Sequence, residues 1–254
     1  MNRLSVRIAS LALIVTISGQ ARGATLTGSL SMLDASVNLT SEGTKDWAIW
    51  GYANGGTSTS LAPDVRKSGG AVISNLTDIN PPPPLALRGI GQFSVPFRFS
   101  WDDGTTVPSA TNASAGLQHF APGAPFVPQD GYGFSFTVPA SPILETVRVY
   151  LSAHHISGRL TANLSDNSVP AYIDTGLTGG FNSPGFYTIQ YASATPGQTL
   201  DVTWTQFSAN GDSANVAIYA VTLVLEPSSL ILLVIGGLAV GRYAISGRCQ
   251  RRSD

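Results

Sequence analysis

Hydrophobic and polar residues alternate in several segments between positions 93 and 207. In the segment 93–101 the residues Phe93, Val95, Phe97, Phe99 and Trp101 occupy every second position. The same period of two recurs at 133–138, 147–151 and 199–207. Because successive side chains of a strand point to opposite faces, this period predicts β-strands with one buried face each.

A further segment, 216–225, begins with a period of two and then becomes continuously apolar. A strand buried on both faces has this pattern, so we predict a central strand there. Gly, Asn, Asp and Pro clusters separate the segments, and no amphipathic helix longer than two turns is evident. These features predict an all-β fold, a β-sandwich or jelly roll.

The composition agrees with a single large β-domain at residues 24–225. The chain is 43% hydrophobic and 11% charged, whereas about 25% charged residues is typical of soluble domains. Residues 24–225 contain 13 acidic and 7 basic side chains, a net charge of −6. An acidic domain is unsuited to binding nucleic acid, so we predict no nucleic-acid partner.

The first 23 residues have the pattern of a signal peptide. Arg3 and Arg7 precede the apolar run 8–17, and Ala21 and Gly23 are small residues at the positions that signal peptidase reads. We therefore predict cleavage before Ala24 and an exported domain. An anchor helix that is retained is the alternative.

The segment 230–241 is an uninterrupted apolar run that basic residues follow. Its twelve residues span about 18 Å as a helix, less than the hydrocarbon core of about 30 Å. A transmembrane helix at about 228–245 fits better, with Arg242 near its end so that the side chain can reach the headgroups. Arg248, Arg251 and Arg252 then complete a basic tail that we expect on the cytoplasmic side.

Glu226, Pro227, Ser228 and Ser229 stand directly before this segment. Together, the motif, the short apolar helix and the basic end resemble the bacterial PEP-CTERM sorting signal; the resemblance covers residues 224–252, and the sorting signal itself is assigned to 226–252. The family usually has Pro where this chain has Leu225. The resemblance implies transient processing by exosortase, an inner-membrane intermediate, and a final location at the cell surface or in the extracellular matrix.

A second resemblance concerns the central domain. The segments 46–51, 97–104 and 158–165 are similar to a β-sandwich module of secreted bacterial proteins. Such modules resemble galactose-binding-like jelly rolls and accompany glycan-processing domains. The resemblance implies a single β-sandwich and a link to glycans, with no catalytic residue carried over.

Motifs of known enzymes are absent from the sequence: there is no GxSxG elbow, no HExxH, no P-loop and no GxGxxG after a strand. We therefore predict a non-catalytic surface or matrix protein, without cofactor, that binds extracellular polysaccharide. The alternative is a secreted glycan-acting hydrolase with the same tail.

The candidate polar residues each have a structural explanation as well. Asp102 and Asp103 precede Gly104 and are weak candidates for a metal site, but Asp before Gly also favours a turn. We predict a turn and no metal site. His154 and His155 are adjacent in a predicted strand, so we expect them to point to opposite faces and not to share a metal ion.

Aromatic residues are the best candidates for glycan binding, because their rings can stack on sugars. Trp47, Trp50 and Tyr52 are the possible glycan-binding residues. At their spacing the two tryptophans face opposite ways, so we expect one to be buried and the other to be a candidate surface platform. Trp101 and Trp204 lie on apolar strand faces and are predicted to belong to the core.

Overall fold

The computed structural model describes residues 23–32, 36–52, 58–79, 87–89, 96–120, 130–180, 183–209 and 214–225. Within these ranges the chain is almost entirely β, with one four-residue helix, α1 (Leu39–Glu42). The predicted sorting segment and residues 1–22 of the predicted signal peptide lie outside the described residues. In the part that is described, no helix has the length and apolar character needed to cross a membrane.

The strands are β1 (Thr25–Ser31), β2 (Ser36–Asn38), β3 (Asp46–Ile49), β4 (Val65–Lys67), β5 (Thr77–Ile79), β6 (Leu87–Gly89), β7 (Arg98–Trp101), β8 (Gly104–Thr105), β9 (Ala110–Ala113), β10 (Leu117–Phe120), β11 (Gly133–Ala140), β12 (Glu145–His154), β13 (Ile156–Leu164), β14 (Tyr172–Asp174), β15 (Ser183–Ala192), β16 (Gln198–Ala209) and β17 (Asn215–Leu225).

These strands form three sheets. The large sheet has the order β1-β15-β12-β17-β3-β4-β8, and β10 joins it by pairing with β17 and with β6. The five-stranded sheet has the order β14-β13-β16-β11-β5, and the three-stranded sheet the order β2-β7-β9. Among the described pairings, only β2 with β7 is parallel. Antiparallel sheets commonly have one face packed on the core and one face exposed to solvent. The alternation in the sequence predicted this arrangement.

In the five-stranded sheet, β11 and β16 confirm the alternation predicted at 133–138 and 199–207, and β13 alternates in the same way. In β13 the buried Leu160, Ala162 and Leu164 alternate with the partly exposed Arg159, Thr161 and Asn163. β11 and β16 follow the same rule over most of their length. The inward side chains pack on the large sheet in one core, which includes Leu160, Val202, Val149 and Ile218. The two sheets thus form a sandwich, as expected for two apolar faces that must leave water.

The large sheet is also covered on part of its other face, which the prediction of a single two-layer sandwich did not anticipate. Phe97 lies directly before β7 and Phe99 lies within it. Both rings pack edge-to-face on Tyr150, with centroids 5.5 and 5.7 Å away, respectively. Phe97 also meets Tyr219 at 5.3 Å. A second buried cluster therefore separates the three-stranded sheet from the large sheet.

The prediction that 216–225 is a central strand is confirmed. β17 pairs with β12 along one edge and with β10 and β3 along the other. Its residues on one face, such as Ile218 and Val221, belong to the main core, and Tyr219 and Ala220 belong to the second cluster. Burial on both faces explains the continuous apolar run.

One close contact fixes how Trp204 is seated in the main core. A Cβ built on Gly158 would lie 1.8 Å from Cη2 of the Trp204 ring. The indole therefore occupies the space that a side chain at 158 would need.

We expect Gly158→Ala to destabilise the fold by about 1–3 kcal/mol, because Trp204 must move in a well-packed core. Urea unfolding followed by tryptophan fluorescence measures the change. Gly180→Ala is the matched control, since its Cβ would meet no atom within 4 Å, and it should change stability by less than about 0.5 kcal/mol. Equal stability of the two variants would contradict the described seat of Trp204.

Candidate functional site

Neither Trp47, in β3, nor Trp50, directly after β3, forms the predicted surface platform. Trp47 and Trp50 are both fully buried. They do face opposite ways: Trp47 belongs to the second cluster and Trp50 to the main core. The expectation of one exposed indole is wrong because the large sheet is covered on both faces here. The indole nitrogens donate to Oδ1 of Asp103 (2.9 Å) and to the carbonyl of Leu61 (3.0 Å), respectively.

Tyr52 is partly exposed and packs edge-to-face on Trp101, with ring centroids 5.1 Å apart. Its backbone N–H donates to Oδ2 of Asp64 at 3.0 Å. Tyr52 thus remains a candidate for sugar stacking by its exposed part. Trp101 itself is buried, and so is Trp204, which confirms both as core residues.

Asp103 is a structural hub that joins three elements through one carboxylate. Its Oδ1 accepts hydrogen bonds from Thr40 Oγ1 (2.6 Å) and Trp47 Nε1 (2.9 Å), and its Oδ2 pairs with Lys67 Nζ. Partial burial alone would raise the pKa of Asp103, but the hydrogen bonds from Lys67, Thr40 and Trp47 outweigh it and hold the pKa below its ordinary value. The carboxylate joins α1, β3 and β4 across the chain.

The neighbouring Asp102 is exposed and lies in the bend between β7 and β8, which confirms the predicted turn. Its backbone N–H donates to Thr40 Oγ1 at 3.1 Å. Within the described ranges, no three His, Cys, Asp or Glu side chains are grouped so that they could hold a metal ion.

The two adjacent histidines do not point to opposite faces. The rings of His154 and His155 lie 4.3 Å apart, centroid to centroid, at an angle of 73°. β12 ends at His154, and His155 has a left-handed backbone with φ of 51°. This single residue turns the chain from the large sheet into β13 of the five-stranded sheet. The prediction failed because it assumed a continuous strand.

His119 lies inside the fold. It is fully buried, and its Nε2 lies 2.7 Å from Oδ1 of Asp78. Its carbonyl accepts a hydrogen bond from Gln206 Nε2 at 3.1 Å. Phe134 packs edge-to-face on the imidazole at 5.5 Å. This histidine therefore links β10 to the five-stranded sheet.

The outer surface of the five-stranded sheet is a polar surface that the sequence analysis did not single out. We call it the hydroxyl face. It consists of the partly exposed side chains of β11, β13 and β16 that point away from the core: Ser135, Thr137, Thr161, Asn163, Thr199, Asp201 and Thr203.

The register of the strands arranges these side chains in rows. Thr161, Thr203 and Ser135 are successive cross-strand partners, and Asn163, Asp201 and Thr137 form the next row. Ile173, with 60% of its surface exposed, extends the first row on β14. Neighbouring strands lie about 4.8 Å apart, so each row of three spans about 10 Å.

Arg159 and Phe207 lie at one end of the hydroxyl face. The guanidinium carbon of Arg159 is 3.7 Å from the centroid of the Phe207 ring. Both side chains are partly exposed. This end of the hydroxyl face therefore has a cation and an aromatic ring in direct contact, next to the flat rows of polar side chains.

The sequence did contain the signal for this face. The residues that alternate with the buried positions of β13 and β16 are Arg, Thr, Asn and Asp, with no gap in the pattern. Such residues are also the ordinary solvent-facing residues of a strand. The pattern alone therefore did not distinguish a binding surface from a solvent-exposed face without a binding role.

No protein-family model matches the chain, and no curated protein matches it. Among solved structures, TmCBM61 in complex with β-1,4-galactotriose is similar at 10% identity and a TM-score of 0.31, over 45% of this chain and 72% of that one. The N-terminal cellulose-binding domain of Cellulomonas fimi β-1,4-glucanase C has 13% identity and a TM-score of 0.28, over 47% and 84%.

The K1 cleaved adhesin domain of Lys-gingipain from Porphyromonas gingivalis has 10% identity and a TM-score of 0.31, over 46% of this chain and 78% of that one. Likenesses as weak as these three do not establish a shared function.

We expect Asp103→Asn to lower the free energy of unfolding at pH 7 by about 1–3 kcal/mol, because three hydrogen-bond donors lose a charged acceptor. Since the pKa of Asp103 is lowered on folding, its contribution is present above the unfolded-state pKa of about 4 and is lost as the pH falls through the folded-state pKa. Urea unfolding at pH 7 and at pH 3 measures both effects, and the difference from the native chain should shrink at pH 3.

The control is Asp102→Asn, which changes the adjacent, exposed carboxylate. It should shift stability by less than about 0.5 kcal/mol at either pH. A larger loss for Asp102→Asn than for Asp103→Asn would show that the hub is misassigned.

Proposed function

We propose that this chain is an exported, non-catalytic surface or extracellular-matrix protein of a bacterium, which binds polysaccharide through the hydroxyl face. The observation that carries the binding proposal is the pair of cross-strand rows, Thr161–Thr203–Ser135 and Asn163–Asp201–Thr137. The finer fold prediction, a galactose-binding-like jelly roll, belongs to the same proposal.

Polysaccharides present hydroxyl groups that both donate and accept hydrogen bonds. Serine and threonine hydroxyls do the same, asparagine adds amide donors and an acceptor, and aspartate adds acceptors. Rows spaced by the strand separation can follow an extended sugar chain and contact several of its units at once. Since β16 is paired along both edges, and β13 and β11 along one edge and part of the other, their backbone loses little conformational freedom when a ligand binds.

We further propose that the segment 226–252 acts as a PEP-CTERM sorting signal. Signal peptidase would remove residues 1–23, and the segment 228–245 would hold the chain in the inner membrane until exosortase acts at the motif Glu226-Pro227-Ser228-Ser229. The support for this proposal is the order of motif, apolar segment and basic tail in the sequence.

We expect the full chain, purified in a mild detergent, to bind at least one polysaccharide in a panel that contains dextran, polygalacturonate and dextran sulfate. The double variant Thr161→Ala/Thr203→Ala should weaken this binding about tenfold, because two neutral hydrogen bonds are lost. Affinity electrophoresis or biolayer interferometry measures the change.

The matched control is Ser29→Ala/Thr188→Ala, a cross-strand hydroxyl pair on the outer face of the large sheet. It should bind like the native chain. Equal weakening by both double variants would argue against the hydroxyl face as the binding surface. Release of new reducing ends from any polymer would favour the alternative, a secreted glycan-acting hydrolase.

Deletion of residues 226–254 should release the protein from the cell envelope and abolish its processing. Fractionation and intact-mass measurement in cells with and without an exosortase test this. In the exosortase-deficient cells, the full chain should keep the mass of the C-terminal segment. A deletion that left both localisation and processing unchanged would refute the sorting proposal.

A further inference from the structure

The geometry of the arginine end points to the class of polysaccharide that the hydroxyl face takes. We infer that the ligand carries acidic groups, carboxylate or sulfate, and that Arg159 binds them. This inference rests on the proposed function, since it places the acidic group at one end of the same surface.

Arg159 is held in place by the ring of Phe207. A guanidinium 3.7 Å from the centroid of an aromatic ring is in direct contact with its face. This contact restricts a side chain that otherwise has many rotamers, so less freedom is lost when the guanidinium binds a second group.

The charge of Arg159 has no acidic partner among the described residues, and its N–H groups make no hydrogen bond there. Lys45, Lys67 and Arg148, in contrast, each pair with a carboxylate. The guanidinium presents five donors in a planar fork that matches the two oxygens of a carboxylate or a sulfate.

An irregularity in strand pairing places Phe207 beside Arg159. The register of β13 and β16 shifts between Ser157 and Gly158: Ser157 is opposite Ser208, and Gly158 is opposite Gln206. Phe207 is therefore an extra residue without a cross-strand partner. A bulge of this kind turns a side chain out of the regular alternation, and here the ring supports the arginine.

Asp201, the acidic residue of the hydroxyl face, lies too far from Arg159 to neutralise its charge. Asp201 is opposite Asn163, whereas Arg159 is opposite Thr205. Four residues along a strand correspond to about 13 Å, beyond the screening length of about 8 Å at physiological ionic strength. An acidic group bound at Arg159 would therefore experience little repulsion from Asp201, and the rest of an extended ligand could run along the hydroxyl rows.

The test compares Arg159→Gln with the native chain on three probes: polygalacturonate for carboxylate, dextran sulfate for sulfate, and dextran as a neutral polymer. Binding of the full chain in mild detergent is measured at low and at high salt. We expect Arg159→Gln to weaken binding of one or both acidic polymers about tenfold or more, and to leave binding of dextran unchanged. Native binding of the acidic polymer should also weaken as salt rises.

Two further variants separate geometry from charge. Arg159→Lys keeps the charge but lacks the planar fork, so its affinity for the acidic polymer should lie between those of the native chain and Arg159→Gln. Arg98→Gln removes a positive charge from β7, where Arg98 donates to Ser114 at 2.7 Å, and should bind like the native chain. Unchanged thermal unfolding of the Arg159 variants confirms that they are folded.

The outcomes distinguish this inference from the proposed function. Binding of dextran that depends on Thr161 and Thr203 but not on Arg159, without binding of either acidic polymer, overturns the inference and leaves the proposed function intact. No binding of any of the three polymers counts against both. A loss confined to polygalacturonate or to dextran sulfate supports the inference and identifies the acidic group.

Discussion

Burial of the large sheet on both of its faces is the constraint on which the rest of the structure depends. β12 and β17 pack on the five-stranded sheet with one face and, over part of their length, on the three-stranded sheet with the other. Apolar side chains on both faces of a strand are stable only where water is excluded from both. Large aromatic rings such as Trp47 and Trp50 are consequently buried in the interior.

Partly buried polar groups serve the same three-layer arrangement. Glu42 of α1 accepts hydrogen bonds from Arg148 Nη1 and Tyr150 Oη, both at 2.6 Å, and so ties the helix to β12. Burial, together with the Glu42 carboxylate, raises the pKa of the Tyr150 hydroxyl, which therefore stays a donor. Asp103 does the equivalent for β3 and β4. Asp103, a candidate for metal binding in the sequence, thus acts like Glu42 as an acceptor that joins separate elements.

The sequence was sufficient for the parts of the fold that depend on local alternation. The strands around Val202 and Phe134, the central strand 216–225 and the turn at Asp102 all follow from periodicity and turn residues, which are short-range properties. The third layer could not be predicted, because contact between Phe97 and Tyr150 joins residues far apart in the chain.

The candidate site was harder to predict for the same reason. The alternation in 199–207 predicted that Thr203 faces away from the core, but only strand register makes Thr161 its neighbour. The bulge that places Phe207 beside Arg159 likewise belongs to a pairing and not to a segment. His155 shows the converse: a single left-handed residue broke a strand that the local pattern had predicted to continue.

The two-sided pairing of β17 has a mechanical consequence. The strand is hydrogen-bonded to β12 on one edge and to β10 and β3 on the other, and the chain leaves it at Leu225. Tension applied at that end, along the strand, loads these hydrogen bonds in parallel as shear instead of opening them one after another. A domain tethered by its C-terminal end would thus resist being pulled apart.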